Sequence, residues 1–296
     1  MRTSFTSSSR RHFCQRCFGG LAIALVGMTS CARCAYARSS PALRNIAFFY
    51  GNTPDFSELE KYQFVVLEPS GQFKLPTNRG QGTHWLAYVS VGEVTSLRDY
   101  YSAMPKNWVV GRNTEWGSEL IDQGAPGWPV FFAERVIAPL VQSGYRGFFF
   151  DTLDSYQLFA TDEKTRLRNQ RGLIAVIREV NKHFPSAKII LNRGFELLPQ
   201  IHDQVYAVAF ESLFKGWSEA RGMYVDVPQD DRSWLLDRAR IVKRNYGLPV
   251  IAIDYCAPAD KQCAHDVVRR IRGDGLIPYV SDGHLLTINL AALSKD

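Results

Sequence analysis

Residues 147–156 are GFFFDTLDSY, an aromatic, apolar run that ends on two carboxylates, Asp151 and Asp154. A strand that is buried on both faces has a continuous apolar sequence. In barrels of parallel strands, the catalytic groups lie at the carboxyl ends of the strands. This stretch therefore predicts a buried barrel strand that carries an acid to the open end of the barrel.

Acids at strand ends recur along the chain. Five further apolar runs have an acid at or just past their carboxyl end: Glu68, Glu93, Glu211, Asp254 and Asp282. Because these ends meet on one face of a barrel, we expect the acids to share one rim. Other polar side chains are expected on the same rim, namely Tyr50, Tyr88, Tyr255, Tyr279, Asn192 and Arg193.

Strand-like and helix-like segments alternate from residue 46 onward. The apolar runs that predict strands are residues 46–50, 64–68, 85–91, 147–151, 188–192, 205–211, 249–254 and 278–281. Helical periodicity lies between most of them, for example at Phe132, Val136 and Leu140. Eight strands with intervening helices predict an α/β fold, a (β/α)8 TIM barrel, as a single domain over residues 38–296. No G-x-G-x-x-G follows a strand, which disfavours an open doubly wound sheet.

One connection, residues 94–127, is long, rich in Trp and Gly, and shows little periodicity. Long connections without an obvious element are often functional. We therefore interpret this segment as a loop on the substrate side of the barrel.

Residues 1–37 have the composition of an export signal. They contain five arginines, no acid and a modest apolar core around LAIALVG. Ser9-Arg10-Arg11-His12-Phe13 resembles a twin-arginine signal, and ordinary secretion is the alternative. Ala35-Tyr36-Ala37 fits a cleavage site, so we expect a periplasmic or secreted protein. A lipoprotein anchor at Cys31 is a second alternative, and no membrane span is expected in the mature chain.

Removal of this signal changes the charge and the cysteine count. The net charge of +6 falls to about +1, so the basic composition does not indicate a nucleic-acid partner. Cys14, Cys17, Cys31 and Cys34 lie in the signal, where their two C-x2-C pairs do not favour zinc. Cys256 and Cys263 remain, and in an exported protein we expect a local disulfide between them.

Acids and aromatics together are typical of a sugar-binding cleft. Aromatic faces stack on sugar rings, and cleavage of a glycosidic bond usually requires two carboxylates. Asp151 and Glu211 are the strongest candidates, because each ends a wholly apolar strand. A strand-end acid can also be only a helix N-cap, and Asp154 and Asp282 could have that role.

Other chemistries have little support in the sequence. The histidines show no H-E-x-x-H spacing, so we expect neither a metal site nor a cofactor. Ser212 lacks the G-x-S-x-G frame of a serine hydrolase. The competing class is a carbohydrate-binding barrel that keeps the cleft without turnover, and the presence of two strand-end carboxylates favours an enzyme.

Several segments resemble one family closely. They are FFYG, VVLEP, AYVSVGEV, WGSELIDQGAPGWPVFFAERVIAPL, SGYRGFFFDTLDSYQL, ILNRG, AFESLF and DYCAPAD, and they extend over residues 45–282. In these segments the chain resembles the endo-α-1,4-polygalactosaminidases of glycoside hydrolase family 114. The resemblance implies a (β/α)8 barrel whose essential carboxylates are Asp151 and Glu211. It also implies cleavage of a galactosamine-rich exopolysaccharide.

This implied substrate agrees with the distribution of charge. An unacetylated galactosamine carries an ammonium group, and Glu68, Glu93, Asp154, Glu196, Asp254 and Asp282 would give a negative cleft. We therefore expect a cationic or partly acetylated polysaccharide as the partner, and a monomeric enzyme. No deacetylase-like module follows the barrel, so we expect a free-standing hydrolase.

Overall fold

The computed structural model describes residues 42–71, 73–76 and 82–294. These residues belong to one compact unit, Ala42–Asp296. The predicted export signal, its cleavage site and the four cysteines within it lie outside the described residues. In the described part of the chain, no helix is long and apolar enough to cross a membrane.

Eight parallel strands form the central sheet, and they pair in the order in which they occur in the chain. The barrel strands are, in order, Ile46–Phe49, Phe64–Leu67, His84–Ser90, Gly147–Asp151, Lys188–Asn192, Ala207–Glu211, Val250–Tyr255 and Ile277–Ser281. The first and last strands are linked by a hydrogen bond of 2.8 Å from the Tyr279 hydroxyl to the Phe48 carbonyl. The predicted (β/α)8 fold is confirmed, and every predicted strand overlaps an observed one.

Helices connect most of these strands. The α-helices are Phe56–Leu59, Trp128–Phe131, Ala138–Gln142, Glu163–His183, Leu198–Ile201, Gln229–Ile241 and Lys261–Gly273. Two π-helical segments, Phe132–Ile137 and Val242–Tyr246, join or extend neighbouring helices. Short 3-10 turns are Tyr101–Ala103, Lys106–Trp108, Ser155–Leu158, His202–Gln204, Glu219–Arg221 and Ala291–Leu293.

The longest helix shows how local sequence positions an element. Asp162 caps its first turn by accepting a hydrogen bond of 2.9 Å from the Thr165 backbone N–H. Leu173, Ile177 and Val180 lie on one face at helical spacing and are fully buried. Burial of this stripe fixes the helix against the barrel.

The connection over residues 94–127 is more regular than its sequence predicted. Glu93–Val94, Val109–Asn113 and Ser118–Ile121 form a three-stranded antiparallel sheet. The strands are short and a bulge interrupts one pairing, so no long alternation of apolar and polar residues marks them in the sequence. A second small hairpin, Lys215–Ser218 with Met223–Asp226, follows the sixth barrel strand.

Candidate active site

The carboxyl ends of the barrel strands surround a cleft of about 720 Å³. Each barrel strand or the loop that follows it contributes to its walls. From the predicted set, the side chains that line it are those of Tyr50, Glu68, Tyr88, Glu93, Asp151, Asp154, Asn192, Arg193, Glu211 and Tyr255.

Asp151 and Glu211 lie side by side at the floor of this cleft. They end the fourth and sixth strands, and Asn192 ends the fifth strand between them. The Nδ2 atom of Asn192 donates to Oδ1 of Asp151 at 2.8 Å and to Oε1 of Glu211 at 3.0 Å. The two acceptor oxygens therefore lie within about 6 Å of each other, which is below the carboxyl separation of inverting glycosidases.

Tyrosines bind the outer oxygens of both carboxyl groups. The hydroxyl of Tyr88 donates to Oδ2 of Asp151 at 2.9 Å, and the hydroxyl of Tyr255 donates to Oε2 of Glu211. Tyr50 packs against Tyr88 with ring centroids 4.9 Å apart. Burial and the nearby carboxylates hold the pKa of each of these tyrosines well above its usual range, so they remain hydrogen-bond donors.

The backbone after Asp151 makes a sharp and tightly held turn. Thr152 has a φ of 60°, which is unusual for a β-branched residue. Its Oγ1 accepts from the N–H groups of Val91 and Gly92 at 3.1 and 2.8 Å. A side chain at Gly92 would meet the Thr152 carbonyl at 2.3 Å, so only glycine allows this approach. These contacts hold the end of the fourth strand, and with it Asp151, in one position.

The two carboxyl groups have raised pKa values. Burial, followed by the charge of Asp151, raises the pKa of Glu211 to about 7, despite the hydrogen bonds from Tyr255 and Asn192. Burial also raises the pKa of Asp151 above its usual value, although hydrogen bonds from Asn192, Thr152 and Tyr88 oppose the shift. Near neutral pH the pair can hold one proton, which is the state that acid and nucleophile require.

Glu68 lies in the cleft but is already paired. Arg98 donates to both of its oxygens, at 2.6 and 2.9 Å, and the Ser70 backbone N–H adds a third hydrogen bond. Burial acts to raise the pKa of Glu68, yet the hydrogen bonds and charge of Arg98 outweigh it and lower the pKa. Part of its negative charge is therefore unavailable to a cationic ligand.

Glu93 borders the cleft but is only 7% exposed. Its carboxylate accepts from Ser155 at 2.5 Å, from Asn113 at 3.1 Å and from the hydroxyl of Ser118. These donors come from the strands Val109–Asn113 and Ser118–Ile121 of the three-stranded antiparallel sheet and from the loop after Asp151. Glu93 thus ties the antiparallel sheet to the loop that follows the fourth barrel strand.

Three predicted site residues do not line the cleft, and for these the prediction is wrong. Asp254 is 0% exposed and accepts hydrogen bonds from the backbone N–H groups of residues 213–215. Tyr279 is likewise 0% exposed and lies in the core, where its hydroxyl bonds the Phe48 carbonyl. Asp282 accepts from the backbone N–H groups of His284, Leu286 and Thr287 and orders the loop there.

Arg193 and Asp154 both line the cleft, but they differ in their hydrogen bonds within the protein. Arg193 donates from its guanidinium to the Glu211 carbonyl at 2.8 Å. Asp154 is half-buried, and its side chain does not cap the 3-10 turn that follows it. Among the residues that the structure describes, Asp154 is therefore the one surplus acid of the cleft whose carboxylate is neither paired with an arginine nor engaged by several hydroxyl or amide donors.

Several residues that line the cleft were not among the predicted site residues. The loop and hairpin side chains that also line it are Thr95, Arg98, Asn113, Trp116, Ser118, Ser155, Gln157, Leu158 and His284. Most follow no apolar strand end, so the strand-end criterion could not find them. Five of them, Thr95, Arg98, Asn113, Trp116 and Ser118, lie in residues 94–127, which were predicted to be on the substrate side from their Trp- and Gly-rich composition, but no single residue was named there.

Cys256 and Cys263 are bonded to each other, with Cα atoms 6.0 Å apart. Cys256 directly follows Tyr255, the tyrosine that donates to Glu211. Among the residues that the structure describes, no group of three His, Cys, Asp or Glu side chains is arranged to hold a metal ion.

Comparison with known proteins agrees with this geometry. The profile of glycoside-hydrolase family GH114 matches residues 43–294. The glycoside hydrolase domain of PelA from Pseudomonas aeruginosa is 35% identical, with a TM-score of 0.75 over 82% of this chain and 96% of that chain. Ega3 from Aspergillus fumigatus, solved in complex with galactosamine, has the same fold: 14% identity and a TM-score of 0.60 over 83% of this chain and 94% of that one. A search of curated proteins found no match.

The family match covers nearly all of the described residues, and the PelA domain is matched over almost its full length. Both findings favour a glycoside hydrolase over a barrel that binds sugar without cleaving it. The chain is a member of glycoside-hydrolase family GH114.

Proposed function

We propose that this hydrolase cleaves internal bonds of an α-1,4-linked, galactosamine-rich exopolysaccharide, with Asp151 and Glu211 as its two catalytic carboxylates. The observation that carries the proposal is the pair itself, bridged by one amide nitrogen at 2.8 and 3.0 Å at the floor of an open cleft. An open cleft suits a long polymer, because the chain can extend beyond the bond that is cut.

The pKa values support different roles for the two groups. Glu211, with a pKa of about 7, is protonated often enough near neutral pH to donate to the leaving glycosidic oxygen. Asp151 accepts hydrogen bonds from Asn192 and Tyr88, which favour its ionised form against burial. Asp151 is then the nucleophile and Glu211 the acid/base.

In this scheme Asp151 attacks the anomeric carbon while Glu211 protonates the departing oxygen. A covalent glycosyl-enzyme forms and the glycosidic bond breaks. Glu211, now ionised, takes a proton from water, and the hydroxide releases the sugar from Asp151. Two displacements retain the configuration at the anomeric carbon, and the short separation of the two groups supports this outcome.

The choice of galactosamine is supported by the family resemblance and by the acids of the cleft. Glu68 and Glu93 are engaged within the protein, so Asp154 is the acid best placed to meet an ammonium group. Release of reducing ends from purified galactosamine polymer tests the activity, and NMR of the first anomer released tests retention. No reducing ends from that polymer would contradict the substrate, and the opposite anomer would contradict the nucleophile.

We also propose that the protein is exported and that cleavage follows Ala37. The arginine-rich, acid-free composition of residues 1–37 supports this, together with the Cys256–Cys263 bond. Mass spectrometry of the mature protein in the native host tests both the compartment and the cleavage site. A cytoplasmic protein with an intact N-terminus would contradict the proposal. The monomeric state stays a prediction that light scattering can test.

A further inference from the structure

Trp116 is an unusual surface residue. It lies in the turn between Val109–Asn113 and Ser118–Ile121, borders the cleft, and is 63% exposed. Leu158, also on the cleft wall, is 60% exposed. An exposed aromatic ring next to a polar cleft leaves a large apolar face to water, which a bound ligand can cover.

The hairpin of Val109–Asn113 and Ser118–Ile121, which carries Trp116 in its turn, is held in place by a buried carboxylate. Asn113 and Ser118 flank the turn on its two sides, and both donate to the buried carboxylate of Glu93. The same carboxylate accepts from Ser155, which directly follows Asp154. The turn with Trp116 and the loop with Asp154 are thus anchored to one buried group, and both face the cleft.

Asp154 connects this wall with the catalytic centre. Asp151 ends the fourth barrel strand, Asp154 lies three residues further along the chain, and both line the cleft. The side chain of Asp154 does not cap the following turn. Trp116 and Asp154 thus line the same cleft as Asp151 and Glu211.

We propose that Trp116 and Asp154 form a further subsite for one hexosamine residue of the bound chain, beyond the two sugars that flank the cleaved bond. The indole stacks on the sugar ring, and the carboxylate of Asp154 pairs with the ammonium group of an unacetylated residue. The subsite rests on the proposed function, because it assumes that a hexosamine polymer occupies the cleft.

The subsite has two consequences. Longer chains bind more tightly than short ones, because only they reach Trp116. Unacetylated sugars are preferred at this position, because the ammonium group gains a charged partner that an acetamide lacks. Leu158 broadens the apolar surface without adding a charge.

The test uses kcat/KM on deacetylated polymer and on an aryl α-galactosaminide, which is too short to reach the hairpin. In Trp116→Ala, kcat/KM should fall about tenfold more for the polymer than for the aryl substrate, since one stacking contact contributes about that factor. Trp116→Phe should recover part of the loss. The matched control is Trp234→Ala, because Trp234 is 46% exposed on the outer helix Gln229–Ile241 and does not line the cleft.

Asp154→Asn tests the charge. It should weaken cleavage of deacetylated polymer more than of acetylated polymer, and added salt should reduce the difference. The subsite would be overturned, while the proposed function stands, by either of two results. One is an equal loss of kcat/KM on both polymers in Asp154→Asn, and the other is an equal loss on polymer and aryl substrate in Trp116→Ala.

If the wild type cleaves no galactosamine polymer, the proposed function fails instead. Calorimetric titration of Asp151→Asn with that polymer, with and without Trp116→Ala, then tests the subsite alone, and unchanged affinity would overturn it.

Discussion

Asp151 and Glu211 accept hydrogen bonds from the same nitrogen atom, Nδ2 of Asn192. An amide has two N–H groups, so each carboxylate takes one of them. The other polar atom of Asn192, Oδ1, is buried and has no partner among the described residues. Asn192 was predicted to bind substrate, but this geometry favours a positioning role: it sets the separation of the carboxylates and stabilises their ionised forms.

The first prediction concerns the catalytic pair. Asp151→Asn and Glu211→Gln should each lower kcat by at least about a thousandfold on polymer, because each removes a group that takes part in the reaction. An aryl substrate with a good leaving group needs no protonation, so Glu211→Gln should retain more of its activity there than Asp151→Asn does. The exposed Asp203→Asn serves as control, with circular dichroism to check folding. Wild-type turnover by either folded variant would remove that residue from the mechanism.

The second prediction is a bell-shaped pH profile. Asp151 must be ionised and Glu211 protonated, so kcat/KM should fall on the alkaline side with an apparent pKa of about 7. The hydrogen bonds of Asn192 lower the pKa of both groups. Asn192→Ala should therefore move both limbs to higher pH. If the variant only raised KM and left both limbs in place, Asn192 would be a substrate-binding residue after all.

The third prediction concerns Asp254, which holds the chain just after Glu211. Its carboxylate accepts three backbone N–H groups, and in Asp254→Asn one amide oxygen must replace two carboxylate oxygens. We expect the free energy of unfolding to fall by about 1–3 kcal/mol, because at least one buried N–H group loses its partner. Denaturant unfolding measures this loss. The control is Asp226→Asn, because the Asp226 carboxylate is exposed and pairs with Lys215.

Asp254 also predicts how stability varies with pH. Burial raises its pKa to about 6 from the usual 3.8. The folded state then binds the proton more tightly than the unfolded chain, so this group's contribution to stability falls as pH rises from about 4 to about 6. Asp254→Asn should abolish that part of the pH dependence. A variant with full stability and a changed preference between acetylated and deacetylated polymer would instead indicate a role in substrate binding.

The fourth prediction concerns the bond between Cys256 and Cys263. It closes a short loop after the seventh strand. Replacing both residues by Ser should lower the free energy of unfolding by about 2.5 kcal/mol, as expected for a loop of this length. Thermal unfolding of the double variant and of the reduced wild type should agree. Two freely alkylated thiols in the mature protein, without reductant, would show that the bond does not form there.

Much of the fold follows from local sequence. The apolar runs predict all eight barrel strands because a strand buried on both faces must be apolar throughout. The small antiparallel sheet was not predicted, because its strands are only two to five residues long, too short for a clear alternation of apolar and polar residues. Such strands depend on pairing with each other and on the buried carboxylate of Glu93, neither of which has a local signature.

The proposed catalytic pair and the misassigned acids have the same local pattern. Glu211 and Asp254 each follow an apolar run, and the sequence by itself determined that both lie near strand ends. Only the tertiary structure decided which one faces the cleft. In the observed register Glu211 is paired with Ile253, and Tyr255 reaches Glu211 inside the barrel. Successive side chains of a strand point to opposite faces, so Asp254 must point away from the cleft, toward the backbone of residues 213–215.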